Sequence, residues 1–216
     1  MTIRVLIADD QQLLRAGFMV IVNSETDMTV VGEASDGREA VRRVRELRPD
    51  VVLMDIRMPE LDGLAATEQI MAAPDPPSII VLTTYDANEY VYRALRAGAS
   101  GFLLKDAPPA RLLDAIRAAA HGDALIEPSI TRRLLERFAA TDEVEAVPAP
   151  VLEELTEREA AVLQQMARGL SNAEIAAELV VSPDTVRTHV SRAMVKLHAR
   201  DRAQLVVFAI ESGLKV

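Results

Sequence analysis

The chain has 216 residues, half of them hydrophobic and about a quarter charged, as expected of a globular protein with one large or two small domains. It contains no cysteine, which excludes disulfides, thiolate metal sites and cysteine nucleophiles, and its three histidines (His121, His189 and His198) are too scattered for a zinc site. The formal charge is −9, no run approaches the roughly 20 apolar residues of a membrane span, and the N-terminus enters a strand-like run at once, so a cytoplasmic protein without membrane contact is expected.

Five short apolar runs, 3–8, 28–34, 50–54, 78–83 and 101–105, are rich in β-branched residues and read as strands. Helix-period segments follow each of them, at 11–22, 36–47, 63–72, 87–97 and 108–120. The second opens on Asp36-Gly-Arg-Glu39, the spacing of a capping box. Each parallel crossover needs a helix, so five such units predict an α/β domain over residues 1–124: a doubly wound, five-stranded parallel sheet. A helical stretch at 129–140 then runs into TDEVEAVPAP, and residues 125–150 read as a helical segment and linker.

From 151 to 216 the pattern is all helical. Thr156 with Glu159 and Ser171 with Glu174 have capping-box spacing, Ser182-Pro183 is an N-cap followed by proline, and Asp201 is placed to cap a last helix reaching about 213. Charge is uneven along the chain. Residues 1–124 carry 13 basic against 19 acidic side chains, whereas 183–204 carry five basic against two acidic, net +3. A local basic strip can meet phosphates on an acidic protein.

In a parallel sheet, chemistry gathers outside the carboxyl ends of the strands. Those ends carry Asp9-Asp10, Asp55, Thr83-Thr84 and Lys105; the second strand contributes nothing obvious. Three clustered carboxylates repel one another unless a cation joins them, and oxygen ligands suit Mg²⁺. One carboxylate as nucleophile, with Mg²⁺ and an ammonium beside it, is the chemistry of phosphoryl transfer. Taken singly, each Asp reads as a turn or cap residue and Lys105 as a solvated charge.

Asp9-Asp10, Asp55 in LMDIRMPELDG, Thr83 in VLTTYD and Lys105 in GFLLKDA together resemble the receiver domain of two-component response regulators, over about residues 3–121. The resemblance implies a flavodoxin-like sheet, with Asp55 as phosphoacceptor, supplied by a sensor histidine kinase. It implies Mg²⁺ held by Asp10 directly, by Asp9 through water, by Asp55 and by the Arg57 backbone carbonyl. Thr83 and Lys105 would hold phosphoryl oxygens, with Thr83 and Phe102 as switch residues; Phe102 reads equally as core packing. Arg57 and Tyr85 would flank the attacking water and make self-dephosphorylation slow. Many receivers follow the lysine with a cis-proline, where this chain has Asp106. A cis peptide there would cost about 3 kcal/mol, so a trans bond is expected.

In SNAEIAAELVVSPDTVRTHVSRAMVKL (171–197), Val186, Val190, Ala193 and Leu197 recur at helical spacing and should face a core. Arg187, Thr188, Ser191 and Arg192 lie on the opposite face, which alone reads either as solvated or as a base-reading surface. Residues 152–214 resemble a LuxR-type helix-turn-helix domain of the NarL/FixJ family. That implies base contacts by Arg187, Thr188 and Ser191, and phosphate contacts by Arg192 and Lys196 on promoter DNA. It also implies homodimer pairing through the last helix, whose candidates are Leu205, Val206, Ala209 and Ile210, unless they pack on their own core. His189, between the two faces, reads as a packing or hydrogen-bonding residue and not as a ligand or switch. The rival functions are a Mg²⁺-dependent phosphatase or phosphotransferase, for which no cap insertion is evident, and a constitutive DNA-binding or scaffold protein with a vestigial receiver.

Overall fold

The computed structural model describes residues 2–84, 88–122, 154–199 and 201–211, and the chain divides into two compact units, Met1–Leu125 and Ile126–Val216. The first unit is a five-stranded parallel sheet in the order β2-β1-β3-β4-β5, formed by β1 (Ile3–Ala8), β2 (Met28–Ala34), β3 (Val51–Asp55), β4 (Ser78–Thr83) and β5 (Gly101–Leu104). Its crossovers are α1 (Gln12–Asn23), α2 (Gly37–Leu47), α3 (Gly63–Met71) and α4 (Asn88–Arg96), and α5 (Pro109–Ala120) follows the last strand. Strands and helices lie where the apolar periods place them.

The continuous apolar runs of β3 and β4 are explained by burial on both faces. Val5, Ile7, Val51, Leu53, Ile80 and Leu82 pack against Phe18 and Val22 of α1 and Leu112 and Ile116 of α5. The alternate residues Leu6, Ala8, Val52, Met54, Ile79 and Val81 are equally buried. Register aligns the strand ends: Ala8 pairs with Met54, Asp55 with Leu82 and Thr83 with Leu104. Asp9, Asp55, Thr83 and Lys105 therefore fall on one rim.

The second unit holds α6 (Glu157–Ala167), α7 (Asn172–Leu179), α8 (Pro183–Lys196) and α9 (Arg202–Glu211). Thr156–Glu159 and Ser171–Glu174 form complete capping boxes, and Ser182 accepts from the Thr185 N–H ahead of Pro183. Asp36 caps α2, but Glu39 reaches past it to accept from the Ser35 N–H, so that predicted box closes one residue early. Val162, Leu163, Met166, Ile175, Val186, Val190 and Leu197 form the core. Among the described residues no peptide bond is cis, Lys105–Asp106 included. No helix there is long and apolar enough to cross a membrane. The segment expected to be helical at 129–140 and the linker after it lie outside the described residues.

Candidate functional site

The rim of the sheet gathers three carboxylates whose oxygens, one each from Asp9, Asp10 and Asp55, lie within 4.8 Å of one another. Asp9 is fully buried, Asp55 is 4% exposed and Asp10 faces solvent. Between the buried pair stands Lys105, its Nζ 2.7 Å from Asp9 Oδ2 and 2.8 Å from Asp55 Oδ2. The backbone places it there: the Lys105 N–H donates to the Thr83 carbonyl at 2.8 Å, extending the β4–β5 ladder one residue past the strand. Burial pushes the Asp55 carboxyl above the usual range, against the pull of the Lys105 ammonium, and the Asp9 carboxylate adds to the rise. Burial works to lower the Lys105 ammonium, but Asp55 and Asp9 outweigh it and raise it, so the cation stays charged.

A cleft of about 130 Å³ opens over Asp55, lined also by Asp10, Arg57, Thr83, Tyr90 and Lys105. The Thr83 hydroxyl turns to its own chain, donating to the Thr84 carbonyl at 3.1 Å. The Arg57 backbone N–H donates to the Asp55 carboxyl, while its guanidinium carbon sits 5.7 Å from the Tyr90 ring centroid. Phe102 is 2% exposed and packs within the unit's interior. Tyr85 lies outside the described residues. Gly63 closes the wall beneath the acceptor, where an added Cβ would stand 1.9 Å from the Asp55 carbonyl oxygen. The donor set suits a hard divalent cation: three acceptor-only carboxylates carry more negative charge than one ammonium neutralises.

Two residues passed over in the sequence support this rim. Arg15 donates to the Asp9 carbonyl at 2.7 Å and pairs with Glu33 Oε2 at 3.1 Å. Thus β2, which seemed to contribute nothing, anchors the β1–α1 turn through Glu33. The available signal was Arg15 itself, the only charge in the otherwise uncharged helix QLLRAGFMVIVN. Asp9 also accepts from the Gln11 N–H at 2.8 Å, so it serves the turn as well as the acidic cluster.

In the second unit, Arg187, Thr188, Ser191 and Arg192 are all exposed on α8, opposite buried Val186, Val190 and Ala193. Three of the four are held within the helix: Arg187 pairs with Asp184 at 3.1 Å, and the Thr188 and Ser191 hydroxyls donate to the Asp184 and Arg187 carbonyls. Lys196 differs. Its Nζ lies 2.7 Å from Oε2 of Glu159, a residue 2% exposed, so its charge serves α6. Burial alone would raise the Glu159 carboxyl, but Lys196 and the Thr156 N–H outweigh it and hold it at about 2. The dimer candidates, in contrast, need correction. Leu205, Val206 and Ala209 are at most 2% exposed within the unit's own core, because α9 is apolar on several sides and packs on α6; the Ile210 side chain is not among those described.

Family models match both units: the response regulator receiver domain over residues 5–117 and the bacterial regulatory proteins of the luxR family over 153–209. The transcriptional regulatory protein YxjL of Bacillus subtilis (strain 168) is 48% identical over 213 residues, 98% of this chain and 97% of that protein. A structure of RcsB from Salmonella enterica serovar Typhimurium bound to promoter DNA, with the phosphomimetic BeF3−, matches at 27% identity and a TM-score of 0.58, covering 98% of this chain and 99% of RcsB. A second RcsB structure, of two dimers on two parallel DNAs, matches with the same identity and coverage at a TM-score of 0.59. An acidic receiver rim followed by a helix-turn-helix, matched along nearly the whole chain, makes this protein a member of the two-component response regulators: a transcriptional regulator with a receiver and a LuxR-type DNA-binding domain.

Proposed function

We propose that Asp55 accepts a phosphoryl group from a sensor histidine kinase and that its phosphorylation governs promoter binding by α8. The observation that carries this reading is the Lys105 ammonium within 2.8 Å of both buried carboxylates, at a cleft that Asp55 lines. A carboxylate oxygen of Asp55 forms the new bond to phosphorus, and the bond from phosphorus to the donor's imidazole nitrogen breaks with its electron pair staying on the nitrogen. Lys105 offsets the negative charge gathering on the phosphoryl oxygens, and the Thr83 hydroxyl, rotated off the Thr84 carbonyl, donates to one of them. Asp9, Asp10, Asp55 and the Arg57 carbonyl would hold Mg²⁺, which neutralises charge on the transferring group when bound. Arg187, Thr188 and Ser191 would read bases and Arg192 a phosphate, with two copies spanning paired half-sites. Intact-mass measurement after incubation with Mg²⁺ and a small acyl phosphate tests the core of the proposal. Wild-type protein should gain one phosphoryl group and Asp55→Asn none; an adduct on the variant would refute it.

A further inference from the structure

The solvent face of α2 carries a stripe of positive charge that neither the fold nor the acidic rim uses. Residues 37–48 hold five of the 13 basic side chains of residues 1–124 but only two of the 19 acidic ones, leaving eight against 17 elsewhere in that stretch. Those two acids, Glu39 and Glu46, are taken by Arg42 and Arg43 at 3.4–3.9 Å. Arg38, Arg45 and Arg48 are exposed and have no ion pair among the described residues; Glu60 shares a shallow cleft with Arg38 without pairing to it. Arg38, Arg42 and Arg45 follow one another at four and three residues, so they share one helix face, and with Arg48 they extend about 15 Å along α2.

Two of these arginines stand where helix physics disfavours them. Arg38 lies in the first turn, at the positive end of the helix dipole, where acids are preferred. Arg48 closes the helix in the left-handed conformation, φ 45°, where glycine is the usual residue. The dipole favours Arg45 in the last turn, but it opposes Arg38 and does nothing for the backbone of Arg48.

We propose that this stripe holds phosphates of the duplex that the helix-turn-helix already grips, which makes the receiver a second, sequence-independent DNA contact. The proposal rests on DNA binding by the second unit, and on no particular base contact there. Arginine's planar fork matches phosphate oxygens. Duplex DNA presents one charge per roughly 3.4 Å of each strand, so several phosphates fit along the stripe. Both units belong to one chain, so a duplex held by one is at high effective concentration for the other, and contacts too weak to act alone add affinity. A lipid surface is a poorer match, because α2 exposes no large apolar side chain to enter it.

The test titrates full-length protein onto a fluorescein-labelled duplex of random sequence across a salt series. Each phosphate contact contributes about 0.9 to the slope of log K against log salt, so Arg38→Gln with Arg45→Gln should flatten it by about 2. Arg38→Lys with Arg45→Lys keeps the charges and should restore the slope. Arg93→Gln with Arg111→Gln removes equal charge from other exposed positions and should leave the slope as in wild type. Arg48→Gly should weaken DNA binding yet raise the receiver's melting temperature by about 4 °C, since glycine relieves the left-handed turn. An unchanged slope in the Arg38/Arg45 glutamine variant overturns the contact; if that variant has also lost self-association in light scattering, the stripe belongs to an acidic face of a second copy. A lysine variant as flat as the glutamine one, or an equal drop in the Arg93/Arg111 control, overturns it too. Wild-type protein that fails to bind the duplex at all overturns DNA binding by the second unit, and this contact with it.

Discussion

Lys196 shows how one side chain can be placed correctly on its helix and have a partner within the fold that the sequence does not disclose. Its position at the end of α8 suits a phosphate contact, yet the ammonium sits 2.7 Å from Glu159, 37 residues earlier in the chain. Lys196→Ala would leave a buried carboxylate short of its strongest donor, and should cost on the order of 2 kcal/mol of stability in the second unit. The pH dependence follows from the depressed carboxyl. Its stabilising contribution is complete above the ordinary value of 4.5 and is lost as pH falls towards about 2. Urea unfolding followed through methyl resonances of Val162 and Ile175 should fall more steeply between pH 5 and 2 in wild type than in Glu159→Gln (the pH limits being roughly those two carboxyl values). Parallel slopes would show that the pair contributes little.

At the scale of elements, the exposed polar face of α8 is folded back on its own helix. Asp184 holds Arg187 by an exposed ion pair of a kind worth at most about 0.5 kcal/mol, so DNA can displace it easily. Asp184→Asn should therefore tighten binding to specific and random DNA alike, by roughly twofold in Kd. Arg187→Ala should instead lose about 1–3 kcal/mol of discrimination between promoter and random sequence if its fork meets a guanine. Competition binding with both DNAs separates these outcomes; equal losses on each for Arg187→Ala would remove its base-reading role. The sequence disclosed the elements and the acidic rim because both rest on local signals: apolar period, caps, and the rule that a parallel sheet presents its strand ends together. It could not disclose Arg15 with Glu33 or Lys196 with Glu159, since such pairs exist only once distant elements are packed. It also misjudged α9, where apolar residues on more than one side give no local sign of which face is covered by α6.

The whole chain comprises two units with separate cores, one built on the sheet and one on α6 to α9. Calorimetry of the full-length protein should resolve two transitions. Mg²⁺ with BeF3− should raise the receiver's transition, by about 2.7 kcal/mol of stabilisation at a hundredfold excess over Kd. The helical unit's transition should stay in place; a matching rise would instead measure energetic coupling between the units. The parallel sheet also bears on the order of events at the ribosome. Pairing β1 with β3 joins Val5 to Val51, so the centre of the sheet cannot form until its third strand has been made. Folds built on such distant pairings form more slowly than small helical ones, whose contacts are nearer in the chain. The slower unit is also the one translated first. At common elongation rates the remaining chain takes roughly 5–20 s to synthesise, an interval in which the receiver can close its sheet before the faster helical unit is complete.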